Sequence, residues 1–257
     1  MVIIIKNKFD IEKMRIVGKI TAKVLNMIQK YITPGISTGE LDDICKDYIY
    51  NKKKVISACL GYQGYPKYTC ISRNNVVCHG IPSYKEKLKN GDILNIDISI
   101  IKDGYFGDSS KMFIVGQCSN LAKKLCYITQ KSLYEAIKIV KPNLPLRNIG
   151  KKIQKIAEKN NFSVVREYCG HGIGKNFHEE PYVLHYDDHR NKILLKEGMI
   201  FTIEPMINSG KRYIYCEKDK WTVKTKDNSL SAQYEHTILV TQTGYEVLTL
   251  RKNEKII

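Results

Sequence analysis

The chain has no run approaching roughly 20 uninterrupted apolar residues, so no segment reads as a membrane-spanning helix. It has no Pro/Gly/Ser-rich linker, no low-complexity tract and no internal repeat visible in the sequence. Its 257 residues are therefore expected to form one domain, 1–257, with a substantial core. The opening MVIIIKNKFD is too short and too quickly charged for a signal peptide. None of the eight cysteines forms a CxxC pair, and free thiols in a reducing cytoplasm are the expectation. A cysteine nucleophile is conceivable at Cys78-His79 or Cys169-x-His171, but adjacency in sequence is not catalytic adjacency in space. GxGxxG and HExxH are both absent; in HEEPY, Tyr182 takes the second ligand position and Pro181 would break a helix. Arginine is scarce, at seven of the 42 basic residues.

Among what is present, five metal-type side chains stand out: Asp97, Asp108, His171, Glu204 and Glu235, in the strings NIDIS, FGDSS, CGHGIG, TIEP and QYEHT. Four carboxylates and one imidazole can hold two divalent cations close together, and such a pair can activate a water. ILNIDISII alternates apolar and polar residues as a strand does, with Asn95, Asp97 and Ser99 on one face. Lys102-Asp103-Gly104 signals a turn into a second strand, YFGDSSKMFIV. With the turn centred between Lys102 and Asp103, Asp97 and Asp108 are expected opposite each other. Two bare carboxylates would repel there, and a cation between them reverses that sign. Glu204 ends an apolar strand before Pro205. Glu235 shares a strand face with Gln233 and Thr237. An acid in a core-type strand is seldom buried without a partner. The glycines around His171 are expected to let backbone and substrate approach the imidazole.

Of the other histidines, His79 and His178 lie in short motifs near glycine or proline, as reachable catalytic groups would. His185-x3-His189 has metal-like spacing but sits in a charged stretch read as a solvated loop. His236 is expected on the opposite strand face from Glu235, as packing. Helices are expected over 8–32, from the Ser37–Glu40 capping box to about 52, and over 120–140 and 146–160. Strands are expected at 56–60, 69–78, 93–114 and 163–168, with several after 198.

The five strings, with VVCHGIP around His79 and NFHEEP around His178, resemble methionine aminopeptidases of the type I, bacterial class. The match runs over nearly the whole chain, with seven motifs in order. The resemblance implies an α/β pita-bread fold with two pseudo-symmetric halves around a central metal site, without the N-terminal zinc-binding extension of many relatives. It implies that Asp97 holds one ion, that Asp108 and Glu235 bridge both, and that His171 and Glu204 complete the other. An oxygen-rich set with one imidazole suits Mn, Fe(II) or Co. The implied reaction is attack of a metal-activated water on the peptide carbonyl after the first residue. Glu204 would be its general base, His178 the oxyanion donor, and His79 a contact to the scissile amide nitrogen. The implied methionine pocket is Cys59, Tyr62, Tyr65, Cys70, Phe177 and Trp221, whose rings and sulfurs suit a thioether. Asn74, Val76 and Ser231 match a monovalent-cation site. Asn176, Ser109 and Tyr105-Phe106 depart from the commoner family residues without touching a ligand, and Asn176 tolerates positive φ better than most.

The implied role is removal of methionine from new polypeptides whose second residue is small, in the cytoplasm and as a monomer. A proline-directed pita-bread peptidase and an inactive binding protein of the same fold are the alternatives. The net charge of +16 has two readings: compositional drift toward lysine, or attraction to RNA or another polyanion. Segment 211–226, with Lys211, Arg212, Lys218, Lys220, Lys224 and Lys226, is the candidate contact to ribosomal RNA.

Overall fold

A computed structural model describes residues 2–256. Its first half runs α1 (Lys8–Ile28), α2 (Thr38–Asp47), β1 (Ile56–Ser57), β2 (Cys70–Arg73), β3 (Val76–Cys78), β4 (Ile93–Lys102) and β5 (Tyr105–Ile114). Then follow α3 (Asn120–Lys138), α4 (Arg147–Lys159), β6 (Ser163–Val164), β7 (Gly170–Gly172), β8 (Glu179–Val183), β9 (Ile200–Ile203) and β10 (Met206–Asn208). The last strands are β11 (Ile214–Cys216), β12 (Val223–Thr225), β13 (Ser231–Gln233), β14 (His236–Val240) and β15 (Tyr245–Val247). Among the described residues, no helix is long and apolar enough to cross a membrane.

Local chemistry explains the helix starts. Asn7 and Asp10 form a reciprocal capping box at α1, and Ser37 and Glu40 do the same at α2. The α1 face carrying Met14, Val17, Val24, Leu25 and Ile28 is buried with Leu94, Ile96, Ile98 and Ile100 of β4 in one core. Gly107 on β5 permits the contact, since a Cβ there would meet Thr21 Oγ1 at 2.6 Å. A second core joins α3 and α4 to Phe201, Ile203, Ile207 and Ile238. Each half thus lays two helices over antiparallel strands, and the strand faces away from the helices meet in the middle.

The sheets set the site. β4 pairs β5 on one edge and β1 and β2 on the other. A five-stranded sheet runs β15-β14-β9-β7-β8, and three-stranded ladders β13-β10-β6 and β11-β12-β3 complete the fold. The expected 69–78 strand splits at a turn where Asn74 takes φ 53°. β7 and β8 were not foreseen, because GHG and EEPYV carry no alternating apolar signal.

The hairpin register differs from expectation. Lys102 pairs with Tyr105, so the turn residues are Asp103 and Gly104, at φ 51° and 79°. A two-residue hairpin turn with both φ positive accepts Asp-Gly, whereas Lys-Asp would be strained there. Asp97 therefore faces Ser110, and Asp108 faces Ser99. The two acids remain on one face but are diagonal neighbours, not direct partners.

Candidate metal centre

A second carboxylate pair arises from a broken ladder. Met206 stands opposite Gln233 and Ile203 opposite His236, in one unbroken register. Glu204 and Glu235 consequently face each other in the gap where both strands are interrupted. Pro205 removes an N–H beside that gap, which favours the interruption. Glu235 thus lies between β13 and β14 and not within a single strand.

Asp97, Asp108 and Glu235 bring one carboxylate oxygen each to within 4.8 Å of one another. His171 Nε2 lies 3.6 Å from Asp108 Oδ2 and 3.7 Å from Glu204 Oε1. His171 Nδ1 is 3.0 Å from the Gly172 carbonyl; donating there leaves the Nε2 lone pair facing the acids. Ser99 donates to Asp108 Oδ1 at 2.8 Å, and Thr202 to Glu204 Oε1 at 2.7 Å. Asp97 Oδ1 and Glu235 Oε1 are buried with no hydrogen-bond partner. Burial and the neighbouring acids push the Asp97 and Glu235 carboxyls well above their usual range, and burial brings Glu204 up to about 7. Burial alone would lower the His171 pKa, but Asp108 and Glu204 outweigh it and raise the value. Orphaned buried oxygens and mutually repelling acids are what a cation would satisfy. All five side chains fit a pair of divalent ions, and the donor set contains no thiolate.

The glycines near His171 admit close backbone, as expected. None of Gly170, Gly172 and Gly174 is at positive φ. A Cβ on Gly170 would meet Thr202 O at 2.3 Å, and one on Gly172 would meet Glu180 O at 2.2 Å. They let neighbouring protein strands close around β7. Asn176 is likewise not at positive φ.

Four supports escaped the sequence reading. His185 belongs to no solvated loop: it is fully buried, and its Nε2 accepts from the Glu204 backbone N–H at 3.1 Å. His189 is the exposed member of that pair. His236 is packed as expected, with Nδ1 2.9 Å from Thr249 Oγ1. Behind the acids, Ser109 does touch a candidate ligand, contrary to expectation: it donates to Glu235 O at 2.7 Å, and Thr237 donates to Asp108 O at 2.7 Å. Buried Arg251 donates to Ser110 O at 3.0 Å and Ser109 Oγ at 3.2 Å, and its charge is met by Glu254. These bonds close the seam between the sheets that carry Asp108 and Glu235. A basic residue after the last strand gives no sequence signal of such a task.

The five residues open into a cleft of about 510 Å³. Cys59, Tyr62, Tyr65, Cys70, His79, Phe177, His178 and Trp221 all line it. Tyr65 is buried, its single hydroxyl proton shared between Thr69 O at 3.0 Å and Gly80 O at 2.9 Å, and it meets Trp221 edge-on at 5.1 Å. Tyr62 meets Phe177 edge-on at 5.0 Å. His79 is held at φ 55° and packs on Tyr168; burial lowers its pKa to about 4. Tyr168, Met206 and Gln233 line the same cleft and were not foreseen as cleft walls. Burial pushes the Cys169 thiol up to about 12 and Cys78 well above its usual value, which leaves neither as a ready nucleophile. At the third candidate site, Asn74 O accepts from Ser231 N at 2.8 Å, Ser231 Oγ is buried without a partner, and Val76 opens β3 two residues on.

The family model for metallopeptidase family M24 matches residues 12–242. The chain belongs to metallopeptidase family M24. Within M24 its likeness is to methionine aminopeptidases. That of Escherichia coli (strain K12) is 62% identical over 256 residues, covering 100% of this chain and 97% of that protein. That of Buchnera aphidicola subsp. Acyrthosiphon pisum is 62% identical over 253 residues, covering 98% and 96%. The crystal structure of methionine aminopeptidase from Rickettsia prowazekii superposes with TM-score 0.94 at 47% identity, over 97% of this chain and 100% of that one. Prolidase from Pyrococcus furiosus shares the fold at TM-score 0.75 and 23% identity; the match covers 98% of this chain and 66% of that one. The M24 chain described here accordingly has the pita-bread fold, and its family chemistry is metal-dependent peptide hydrolysis.

Proposed function

We propose that this protein is a methionyl aminopeptidase acting on new polypeptides whose second residue is small. The observation that carries the reading is one cleft with a cation-seeking acid cluster beside a wall of sulfur and aromatic rings. Asp97 would hold one divalent ion, Asp108 and Glu235 would be shared, and His171 with Glu204 would hold the other. Bound there, Mn, Fe(II) or Co would polarise the scissile carbonyl and lower the pKa of a water. Glu204, its carboxylate held by Thr202, accepts a proton from the attacking water and returns it to the scissile nitrogen as the C–N bond breaks and the amine leaves. His178 Nε2–H donates to the carbonyl oxygen as negative charge develops. His79 contacts the scissile nitrogen. Cys59, Tyr65, Cys70 and Trp221 receive the thioether at the inner wall, and Tyr62 and Phe177 form the outer wall. The whole of 1–257 acts as one catalytic domain and as a cytoplasmic monomer, and Asn74, Val76 and Ser231 hold a monovalent cation. Met-Ala-Ser and Met-Leu-Ser peptides test the reading. Methionine release from the first, with kcat/KM at least tenfold lower for the second, is expected. Equal values refute it, and preferred cleavage before proline with another first residue favours the proline-directed alternative.

Ribosomal RNA is the proposed polyanion for segment 211–226, which includes the β11–β12 hairpin. Lys211, Lys218, Lys220 and Lys226 are exposed there. Lys224 is paired with Glu217 at 2.7 Å and Arg212 with Glu167 at 3.6 Å, so neither is free to seek phosphate. Lys220 also lines the cleft. The triple charge reversal Lys211→Glu, Lys218→Glu and Lys226→Glu is expected to weaken salt-sensitive co-sedimentation with ribosomes at least tenfold while peptide cleavage is retained. Undiminished sedimentation would assign the excess lysine to composition.

A further inference from the structure

We propose that Tyr62 is a positioning residue for His178, and that Gln63 sets the direction of the hydrogen bond between them. The idea rests on reading His178 as the donor to the scissile carbonyl. Tyr62 Oη lies 2.9 Å from His178 Nδ1, and Gln63 Nε2 donates to the same Tyr62 oxygen at 3.3 Å. A phenol has one proton to give. With the Gln63 amide occupying an oxygen lone pair, the Tyr62 proton turns toward His178. An Nδ1 that accepts belongs to an imidazole whose hydrogen sits on Nε2. The pair therefore selects the tautomer with Nε2–H free to donate.

Aromatic packing and a tied turn frame this arrangement, although Gln63 and His178 are themselves exposed. Phe177 stacks on the His178 ring at 4.4 Å with 29° between planes, and the His171 ring lies 4.2 Å away on a tilt. Tyr62 sits in a turn tied by Tyr62 N to Cys59 O at 3.0 Å, Tyr65 N to Tyr62 O at 2.9 Å and Gly61 N to Tyr65 O at 2.8 Å. Gly61, Gln63 and Gly64 all take positive φ, at 82°, 45° and 84°. Glycine adopts that backbone freely, but glutamine adopts it at a cost, and a strained non-glycine residue at a cleft lip points to a task. Gln63 uses the strain to place its amide on the tyrosine oxygen. Tyr62 also forms the outer pocket wall with Phe177. A side chain filling the pocket presses on the ring that fixes the donor, so recognition of the first residue and donor alignment share one group.

Tyr62→Phe keeps the ring and removes the hydroxyl. In the metal-loaded protein it is expected to lower kcat for Met-Ala-Ser about tenfold, the scale of one net hydrogen bond. KM stays within about twofold, and metal content and melting temperature stay at parent values. Gln63→Ala is expected to lower kcat about threefold. The deciding measurement is the double variant: with His178→Ala already present, Tyr62→Phe lowers kcat no further. Long-range nitrogen–proton NMR of the histidine rings supplies a signal that a merely structural tyrosine would not move. The Nε2–H tautomer of His178 dominates in the parent and mixes with the other in Tyr62→Phe. Unchanged kcat and tautomer in Tyr62→Phe, or an equal loss with and without His178, overturns the proposal. Failure of the functional reading is distinguishable, because the loaded parent would then release no methionine.

Discussion

Chelating the divalent ions is expected to abolish methionine release, and adding Mn, Fe(II) or Co is expected to restore it. The reason is the acid cluster itself. Without cations, Asp97 and Glu235 keep orphaned buried oxygens, and burial and repulsion hold their pKa values high. The sign of the accompanying pH effect follows from those shifts. Glu204 titrates at about 7 in the metal-free fold against 4.5 when unperturbed. A folded-state carboxyl pKa above the unfolded one means that metal-free stability from this group is lost as pH rises from about 4.5 to 7. Cations remove that loss by replacing the protons. The melting-temperature gain on adding Mn is therefore expected to grow between pH 5 and pH 7, with protons released on binding. Buried His79, His185 and His236, with pKa values lowered to about 4, 3 and 4, titrate in the opposite direction. They are common to both forms and drop out of the difference. With the ion at about 1,000 times its dissociation constant, the gain near neutrality is about 4 kcal/mol, or roughly 10 °C. Full activity in protein shown by elemental analysis to be metal-free would end the mechanism. A gain that is flat with pH would mean that these carboxyls are not the ligands.

The legible and illegible parts of this molecule divide along physical lines. Asp97, Asp108, Glu204 and Glu235 could be singled out because an acid in an apolar strand announces an unpaid desolvation cost. Their convergence could not be read from spacing. It depends on an Asp-Gly turn that shifts the hairpin register, and on two separated strands that keep one register across a shared break. The amphipathic helices and the Ser37–Glu40 capping box are local signals, and they appear where expected; the Asn7–Asp10 box is an addition from the structure. His185 was hidden because its neighbours Asp187 and Asp188 gave the stretch a solvated look, whereas the imidazole turns inward to the Glu204 N–H. Arg251 was hidden because its partners, Ser110 O and Ser109 Oγ, are more than a hundred residues away and partly backbone. The glycines beside His171 admit neighbouring backbone as expected: closure of the flanking strands on β7 requires the missing Cβ atoms. The pocket residues became meaningful only through the resemblance, since ACLGYQGYP alone is an unremarkable loop.

His178→Ala is expected to lower kcat by about 10²- to 10³-fold, the range for losing one donor to a developing oxyanion. Under the proposed reading its position leaves the side chain free for that task. It lies in the cleft next to His171, yet no carboxylate bonds to it; its Nδ1 is taken by Tyr62, which leaves Nε2 for substrate. A donor that acts mainly on the charged transition state changes kcat far more than KM, because the ground-state carbonyl asks less of it. Metal content should be normal, as His178 is outside the proposed ligand set although its ring lies 4.2 Å from that of His171. His171→Ala is the control that separates the two histidines. It removes the Nε2 that lies 3.6 Å from Asp108 and 3.7 Å from Glu204, so it should lose divalent metal as well as activity. Measuring kcat, KM and bound metal on both variants reads the roles independently. Metal loss in His178→Ala would make it a ligand, and an unchanged kcat at full metal loading would remove it from the reaction. Raising the substrate concentration should not rescue His178→Ala, whereas added Mn should partly rescue His171→Ala by mass action on a weakened but still four-carboxylate site.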